Sequence, residues 1–531
     1  MNQSANYLPY ESTGYFSKII SDYLQQSALL KPFYQHTPDL TGITNSITAR
    51  KTFNTPRSLL VDVLQKQYAH IATSEKVTGN ILLLADQDTF TVTTAHQPNI
   101  FTGPLYFIYK ILHAVKLADE LNKQLPQYKF VPVYYMGSED ADLDELGYIN
   151  VGGQKLTWET KQTGAIGRMK VDKGLLKILH AIHGQTGVLP FGNELTELFT
   201  QCYTEGKTIQ QATLELVNSL FAGYGLVVLI PDNAQLKKAF QSVIEKELTE
   251  NFSHRMVAAA IEKLGQHYKV QAGGREINLF YLIDDKRERI EVQGTKYEVR
   301  SLGLLFSKEE IVEELTKYPG RFSANVILRG AFQETVLPNI AFIGGGGELA
   351  YWLELKNVFE AVNIPYPVLL LRNSFLLLKS EQADKLKKLS FSSADFFQEE
   401  LTLVNTLVKR ESEHQLSLAN ELKLAHDYYA QLRTVTDAVD KTLSEHVAAL
   451  EKKALKKLTE LEKKILRAER AKFETQQKQI AKLKQDLFPG NSLQERVDNF
   501  SVYYATYGPA WLQTIYDVST GLNKGFVIVT E

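Results

Sequence analysis

Apolar residues in the first ninety positions come in short clusters with no sustained period, so this stretch reads as short helices mixed with strands. Ile81 to Asp86 (ILLLAD) and Thr89 to Thr94 (TFTVTT) read as strands, the second rich in β-branched residues that fit a pleated surface. From Leu105 to Leu121 (LYFIYKILHAVKLADEL) the apolar positions step by three and four, which predicts an amphipathic helix. Lys129 to Met136 (KFVPVYYM) is again short and strand-like. Strand, loop, helix, strand is the unit from which parallel sheets are built. Leu226 to Ile230 (LVVLI), Ala341 to Ile343 and Tyr366 to Leu371 (YPVLLL) continue the alternation, the second followed by a glycine run and the helix-like ELAYWLELKNVFEAV. The pattern predicts an open α/β core over 1–375. Modules inserted at about 150–215 and 265–320 are expected where turn and hairpin cues such as Ala272-Gly273-Gly274 gather.

Past Pro367 the pattern changes. No glycine or proline occurs until Pro489, so both common helix breakers are missing from a long stretch. Leu443, Val447, Leu450, Ala454, Leu458, Leu461, Ile465 and Ala468 recur at steps of three or four between Lys- and Glu-rich positions. That is a coiled-coil pattern, interrupted where Lys457 and Lys464 stand in place of apolar residues. An α-helical coiled-coil domain over 376–488 is expected, arranged as an antiparallel hairpin that also pairs with a second subunit. A long charged helix facing solvent is the plainer alternative. Residues 489–531 return to mixed structure and end in a strand, FVIVT at 526–530. A lone strand is not stable, so this segment should fold back onto the core.

Composition narrows the function classes. The 531 residues are 44% hydrophobic and 23% charged, as in an ordinary globular protein. With 59 basic and 61 acidic residues the net charge is −2, which offers no basic surplus for nucleic acid. Cys202 is the single cysteine, so no internal disulfide can form. No apolar run nears the roughly 20 residues that span a bilayer. The start, MNQSANYLPYESTGYFSKII, lacks a basic and apolar leader, so a cytoplasmic location is expected.

Three clusters carry candidate chemistry. His96, Gln97 and Asn99, with Thr102, Gly103, Tyr106 and Lys110, lie where a strand gives way to a helix, the usual ligand position in open α/β sheets. The same residues also suit a polar turn capped by Asn99 and Thr102. The run Glu139, Asp140, Asp142, Asp144, Glu145 puts five carboxylates within seven residues, so a cation, basic side chains or open water must offset them. Its D-x-D-x-D spacing fails as a calcium loop, because Glu145 stands where glycine is required and Val151 where the closing glutamate is. The alternatives are a solvated loop and a site for a substrate amine or for magnesium beside a nucleotide. Third come Arg329, Gln333 and Glu334, then Gly344, Gly345, Gly346 and Gly347 with Glu348, Tyr351 and Trp352. Four glycines between strand and helix admit a ligand close to the backbone and to the helix dipole. Leu349 replaces the third glycine of the dinucleotide fingerprint, and Gln201 in QCYTEGKT replaces the first glycine of a phosphate loop. His180 and His183 lack further ligands, so no metal site is assigned, and Cys202 reads as a small buried hydrophobe.

In order along the chain, TAHQPNIFTGPLYFIYKILHAVKLA, VPVYYMGSEDADLDEL, PGRFSANVILRGAFQETVLPNIAFIGGGGELAYWLELKNVFE and PVLLLRNSF resemble the bacillithiol biosynthesis cysteine-adding enzymes, a family of cysteine ligases. The resemblance is collinear over most of the chain. It implies a Rossmann-like core with inserted connecting modules and a C-terminal coiled coil that mediates homodimerisation. It also implies a core similar to nucleotidylyl transferases and class I aminoacyl-tRNA synthetases, whose H-x-G-H motif cradles ATP. The stretch from His96 to Asn99 holds the comparable place but lacks the motif's glycine and second histidine, and no KMSKS-like loop is found.

The activity implied is addition of L-cysteine to glucosaminyl-malate, with ATP activating the carboxylate and Mg2+ accompanying it. ADP bound near the coiled coil is also associated with the family. For these substrates Glu139, Asp140 and Asp142 would meet amines, while Lys110, Arg329, Arg372 and the glycine loop would meet acids. His96 or an acidic-loop carboxylate would serve as general base. Competing readings are another ATP-using amino-acid ligase or nucleotidylyl transferase, and a nucleotide-binding coiled-coil scaffold.

Overall fold

The computed structural model describes residues 4–530. Five strands form one wholly parallel sheet: β1 (Thr89–His96), β2 (Lys129–Met136), β3 (Val227–Leu229), β4 (Asn339–Gly344) and β5 (Val368–Leu371). Their spatial order is β5-β4-β1-β2-β3, so the chain reverses direction across the sheet between β1 and β4. This is the Rossmann-like α/β class expected from the alternating pattern. Every residue of β1 before His96 is buried, which explains its uninterrupted run of Phe, Val and Thr: a parallel sheet is covered on both faces.

Between β1 and β2 runs α1 (Tyr106–Gln124), which buries Phe107, Ile108, Ile111, Leu112 and Val115 as its three-four spacing requires. A short helix α2 (Ala234–Ala239), capped by the Asn233 side chain, follows β3. The turn after β4 starts α3 (Gly346–Trp352). The helix-like stretch expected there is broken, resuming as a second helix at Lys356–Ala361.

One strand expectation is overturned. The first half of ILLLAD ends a helix at Glu75–Leu83, whose N-cap Ser74 accepts a hydrogen bond from the Val77 N–H, and the second half is turn. Val77, Ile81 and Leu84 are buried while Leu82 and Leu83 face out. A capping serine and a period near four outweigh a short apolar run, which alone cannot distinguish strand from helix.

Within 150–215, the hairpin Tyr148–Val151/Gln154–Thr157 is followed by helices at Lys173–Thr186, Gly192–Cys202 and Ile209–Phe221. Within 265–320 lie short antiparallel strands and a helix at Lys308–Lys317. The end of the chain folds back: Phe526–Thr530 pairs antiparallel with Ser4–Leu8 and parallel with Ser374–Leu378.

Helices α4 (Ala419–Asp437) and α5 (Leu443–Arg470) form an antiparallel hairpin. Ser412 and His414 reach Glu469, the Leu418 N–H reaches Glu462, and His426 reaches Glu451, so partners descend along one helix as they rise along the other. No residue of α4 is buried. Leu424, Tyr428 and Val435 on α4, and Leu443, Leu450 and Leu461 on α5, lie exposed.

Beneath the sheet sits a buried ion pair. Arg50 on the helix Leu40–Lys51 donates to the Glu334 carboxylate (2.6 Å), the Glu334 carbonyl (2.6 Å) and the Asn339 carbonyl (2.9 Å). The other Glu334 oxygen accepts from Asn339 and Gln333. Removing one member leaves a charge stranded out of water. Glu334→Ala is therefore expected to lower stability by about 3–5 kcal/mol, measured as an earlier urea-unfolding transition of the sheet domain. An unchanged midpoint would contradict the pairing.

Candidate active site

All five strands deliver residues to one cavity of about 340 Å³ at the carboxyl end of the sheet. β1 ends in Ala95 and His96 and leads into Gln97, β2 runs on into Gly137–Asp140, and β3 into Pro231. From the other half, β4 supplies Gly345–Glu348 and β5 supplies Arg372. The reversal of strand order between β1 and β4 opens the crevice, as the general rule for open α/β sheets requires. Tyr106 and Lys110 come from α1, and Arg329 from the helix Val326–Val336. Arg287 comes from the hairpin Leu279–Ile283/Lys286–Arg289, and Arg496 from the C-terminal segment.

One wall is acidic. Asp140 accepts from the Gln97 side-chain amide (3.1 Å) and from the Asp142 N–H (3.2 Å). Behind this wall Glu139 pairs with Lys237, and Lys237 also contacts Asp232 (3.3 Å). Burial pushes the Glu139 carboxyl up, and Lys237 opposes that rise. At the rim, burial and then the neighbouring Asp140 and Asp142 charges raise the Glu145 carboxyl. The five-carboxylate run is thus offset by basic side chains at Glu139 and by solvent at the exposed Asp142 and Asp144. Asp142 does not reach the cavity; its side chain caps the turn at Leu143–Leu146.

The floor is cationic. Lys110, buried, donates to the Ala95 carbonyl (2.9 Å) and pairs with Glu348. Burial lowers its ammonium pKa while Glu348 supports the charge. Arg372 pairs with Glu495 (2.7 Å), donates to Ser374 (3.1 Å), and lies over the Tyr106 ring at 5.1 Å. Arg329 donates to the Tyr351 hydroxyl at 2.5 Å. Among the described residues neither Arg329 nor Arg496 forms an ion pair, so the floor keeps unneutralised positive charge.

His96 lies between floor and wall, packed against Tyr106 (5.3 Å) and Phe107 (5.5 Å). Burial first, then Lys110, Arg372 and Arg329, hold its pKa well below the usual histidine value, so the ring is neutral. Its Nε2 is buried on the cavity wall without a hydrogen-bond partner. A buried polar atom without a partner is costly unless a ligand supplies one.

The remaining sequence candidates lie elsewhere. Asn99, Thr102 and Gly103 form a tight turn with left-handed backbone at Phe101, Thr102 and Gly103, and the carbonyls of Phe101 and Gly103 accept from Asn499 (2.9 and 2.6 Å). A Cβ on Gly103 would fall 2.8 Å from that of Asn99. This turn anchors the C-terminal segment instead of lining the cavity. Gln333 and Glu334 belong to the Arg50 cluster, and Trp352 stacks on Phe342 (4.4 Å) in the core. Gly344 ends β4, where any side chain would meet Leu349 and Phe342 within 3 Å. α3 has only seven residues, and the N–H of its N-cap Gly345 is already taken by Glu348. Gly345, Gly346 and Gly347 do line the cavity, as do Glu348 and Tyr351.

His180 and His183 are exposed, His183 bonding Thr196. Cys202 is buried, with its thiol pushed up to about 12. Among the described residues no three acids, histidines or cysteines gather to hold a metal, and no helix is long and apolar enough to cross a membrane. Arg287, Arg496, Arg168 and Lys237 escaped the sequence reading. They stand in ordinary surroundings, KRER, QER, IGR and LKK, and only tertiary folding brings them to the site.

Known proteins place the chain. The model for the bacillithiol biosynthesis BshC N-terminal Rossmann-like domain matches residues 4–373, and that for the BshC C-terminal coiled-coil domain matches residues 375–531. A protein of Flavobacterium johnsoniae named "putative cysteine ligase BshC" is 41% identical over 98% of this chain and 99% of its own. Proteins of the same name from Flavobacterium psychrophilum and Christiangramia forsetii are 38% and 37% identical, covering 98% and 99% of this chain and the same shares of their own. The chain belongs to the bacillithiol biosynthesis BshC family.

Proposed function

We propose that this chain is a cysteine ligase that joins the carboxyl group of L-cysteine to the free amine of glucosaminyl-malate, giving bacillithiol, with a nucleotide activating the carboxylate. The observation that carries the reading is the split polarity of one cavity, with an acidic wall at Glu139 and Asp140 facing a cationic floor at Lys110, Arg329, Arg372 and Arg496. Both substrates carry amines and carboxylates, and glucosaminyl-malate brings two of the latter. Carboxylates recognise ammonium groups, while guanidinium groups recognise carboxylates and phosphates in bidentate fashion. The names of the relatives support the same reading.

Amide formation from a free carboxylate in water is uphill, so activation is needed, and ATP is the co-substrate proposed. The donors on the floor and the unpartnered His96 Nε2 are of the kind that phosphate oxygens accept from. Mg2+ would enter with the nucleotide, since it is commonly held by phosphates and one or two carboxylates. The attacking amine must lose a proton. A neutral, desolvated imidazole is a weak base, so Glu139 takes that role and His96 orients an oxygen of the substrate or nucleotide. Two copies are proposed to pair through the exposed apolar residues of α4 and α5. The cytoplasm is the proposed location, without a nucleic-acid or membrane partner.

Purified protein with L-cysteine, glucosaminyl-malate and Mg-ATP should give bacillithiol by mass spectrometry. AMP as co-product would mark an adenylate route and ADP an acyl-phosphate route; no product from active substrates would reject the assignment. Arg329→Met should lower kcat/KM for glucosaminyl-malate about 10- to 100-fold, the worth of one charged hydrogen bond, mainly through KM. His96→Gln should reduce the rate without moving the pH profile, and a His96→Ala variant with full activity would remove the residue from the mechanism. Light scattering should find two chains per particle, reduced to one by Leu424→Glu with Val435→Glu; a wild-type monomer would refute the pairing.

A further inference from the structure

Lys237 sits at the centre of a four-member charge cluster just behind the acidic wall, outside the cavity lining. Its ammonium touches Glu139 on one side and Asp232 on the other (3.3 Å), and donates to the Gly320 carbonyl (2.9 Å). Arg168 closes the cluster with two hydrogen bonds to Asp232, at 2.6 and 2.8 Å. Side-chain exposure is 2% for Lys237, 5% for Asp232, 12% for Glu139 and 35% for Arg168, and of the four only Glu139 lines the cavity.

The parallel pairing of β2 with β3 brings the ends of both strands together, one leading to Glu139 and the other to Asp232 and α2. The turn at Ile166–Arg168 clamps the Glu139 loop from outside: the Gly167 N–H donates to the Ser138 carbonyl (2.9 Å) and the Ile166 N–H to the Asp140 carbonyl (2.7 Å). Two cations and two carboxylates balance, and each carboxylate is fixed by a partner on a different element.

We propose that Lys237 is a positioning residue for the ligase reaction: held by Asp232 and Gly320, it fixes Glu139 and supplies the positive charge beside its carboxylate, so that the carboxylate meets the substrate amine. The inference rests on the reading of Glu139 as the group that meets that amine. Arg168 acts one step further back, orienting Asp232. Burial works against ionisation of Asp232, but its bonds to Arg168 and the nearby Lys237 hold its carboxyl below the usual range, so it remains a dependable anion for Lys237.

The charged and titratable groups around Glu139 come from several elements. Lys237 comes from α2, Asp232 from the loop after β3, Arg168 from its turn and Arg287 from the hairpin, with Asp140 and Tyr135 from its own strand and loop. Among these Lys237 alone touches the Glu139 carboxylate. Burial of Glu139 favours its proton, so loss of the Lys237 charge must raise the pH at which it ionises.

The test uses full-length protein carrying 13C-labelled glutamate carboxyls, with the Glu139 resonance assigned by its absence in Glu139→Gln. In Lys237→Met the Glu139 titration midpoint should rise by at least about one pH unit, a tenfold change in the ionisation constant. The acid limb of kcat/KM should rise by the same amount, with the rate recovering at higher pH. Lys237→Arg should restore both. Should the methionine variant not fold, Lys237→Gln removes the charge and keeps a donor for Gly320. A midpoint that stays put overturns the proposal. So does a midpoint that moves while the kcat/KM limb does not, or a uniform loss of rate at every pH. Failure of wild-type protein to make bacillithiol would reject the ligase reading, and the carboxyl titration would still decide whether Lys237 governs Glu139.

Discussion

Charge taken out of water must be paired, and that constraint organises this protein from the sheet outward. A parallel sheet is covered on both faces, so polar chemistry is confined to the strand ends. There the chain collects Lys110, Arg329, Arg372 and Glu139, all removed from bulk solvent. Each is made tolerable by something supplied from elsewhere: Glu348 for Lys110, Glu495 for Arg372, Tyr351 for Arg329 and Lys237 for Glu139. Where pairing is incomplete, at Arg329, Arg496 and the His96 Nε2, the cavity keeps the capacity to bind a ligand.

The same constraint gives the additions to the core a role. Glu495 also accepts from the Phe375 N–H (3.2 Å), so the C-terminal segment joins the strand Ser374–Leu378 to the Arg372 guanidinium. Asn499 reads the carbonyls of the tight turn after β1, and the Leu105 N–H donates to the Asp498 carbonyl (2.8 Å). The segment around 494–499 therefore holds the start of α1, and with it Tyr106 and Lys110, in place. From the other side, the 265–320 region contributes Arg287, whose guanidinium covers Phe280 at 3.9 Å and bonds Ser323 and Ala324. The core alone would lack Arg287 and Arg496, two of the five lysines and arginines that line the cavity.

How much of this was legible depends on how local each signal is. Strand composition and the period of α1 are set by neighbours a few residues apart, so the parallel core and the helical C-terminal region could be read directly. The glycine run and the acidic run were visible as anomalies, and both do border the cavity. Gly344 and Trp352 looked alike to their neighbours in sequence yet serve packing, because one residue of offset turns a side chain from the cavity into the core. Glu334 looked like a ligand for substrate until Arg50, almost three hundred positions away, was seen to claim it. Asn99 and Thr102 have the polarity of a binding turn, and the polar partner that uses that turn is another part of the chain. Arg287 and Lys237 are the converse, ordinary basic residues in sequence that become singular only through burial near acids, and Arg496 does so by reaching the cavity from the C-terminal segment.

Pairing also ranks the two groups that could accept the proton of the attacking amine. His96 is surrounded by Lys110, Arg372 and Arg329 and sealed by aromatic rings, and both influences disfavour a second proton on the ring. A base that resists protonation this strongly cannot take a proton from an ammonium group near neutral pH, whatever its geometry. For Glu139 burial and charge oppose one another: burial favours its proton, while Lys237 favours the anion. Burial makes this carboxylate more basic than one in water while Lys237 supports its anion, and the two together are what a general base needs. The floor's positive charge, which disables His96 as a base, favours anionic groups at the same place. On the proposed reaction the proton acceptor and the anion site belong on opposite walls of the cavity, the acidic loop after β2 and the cations around α1.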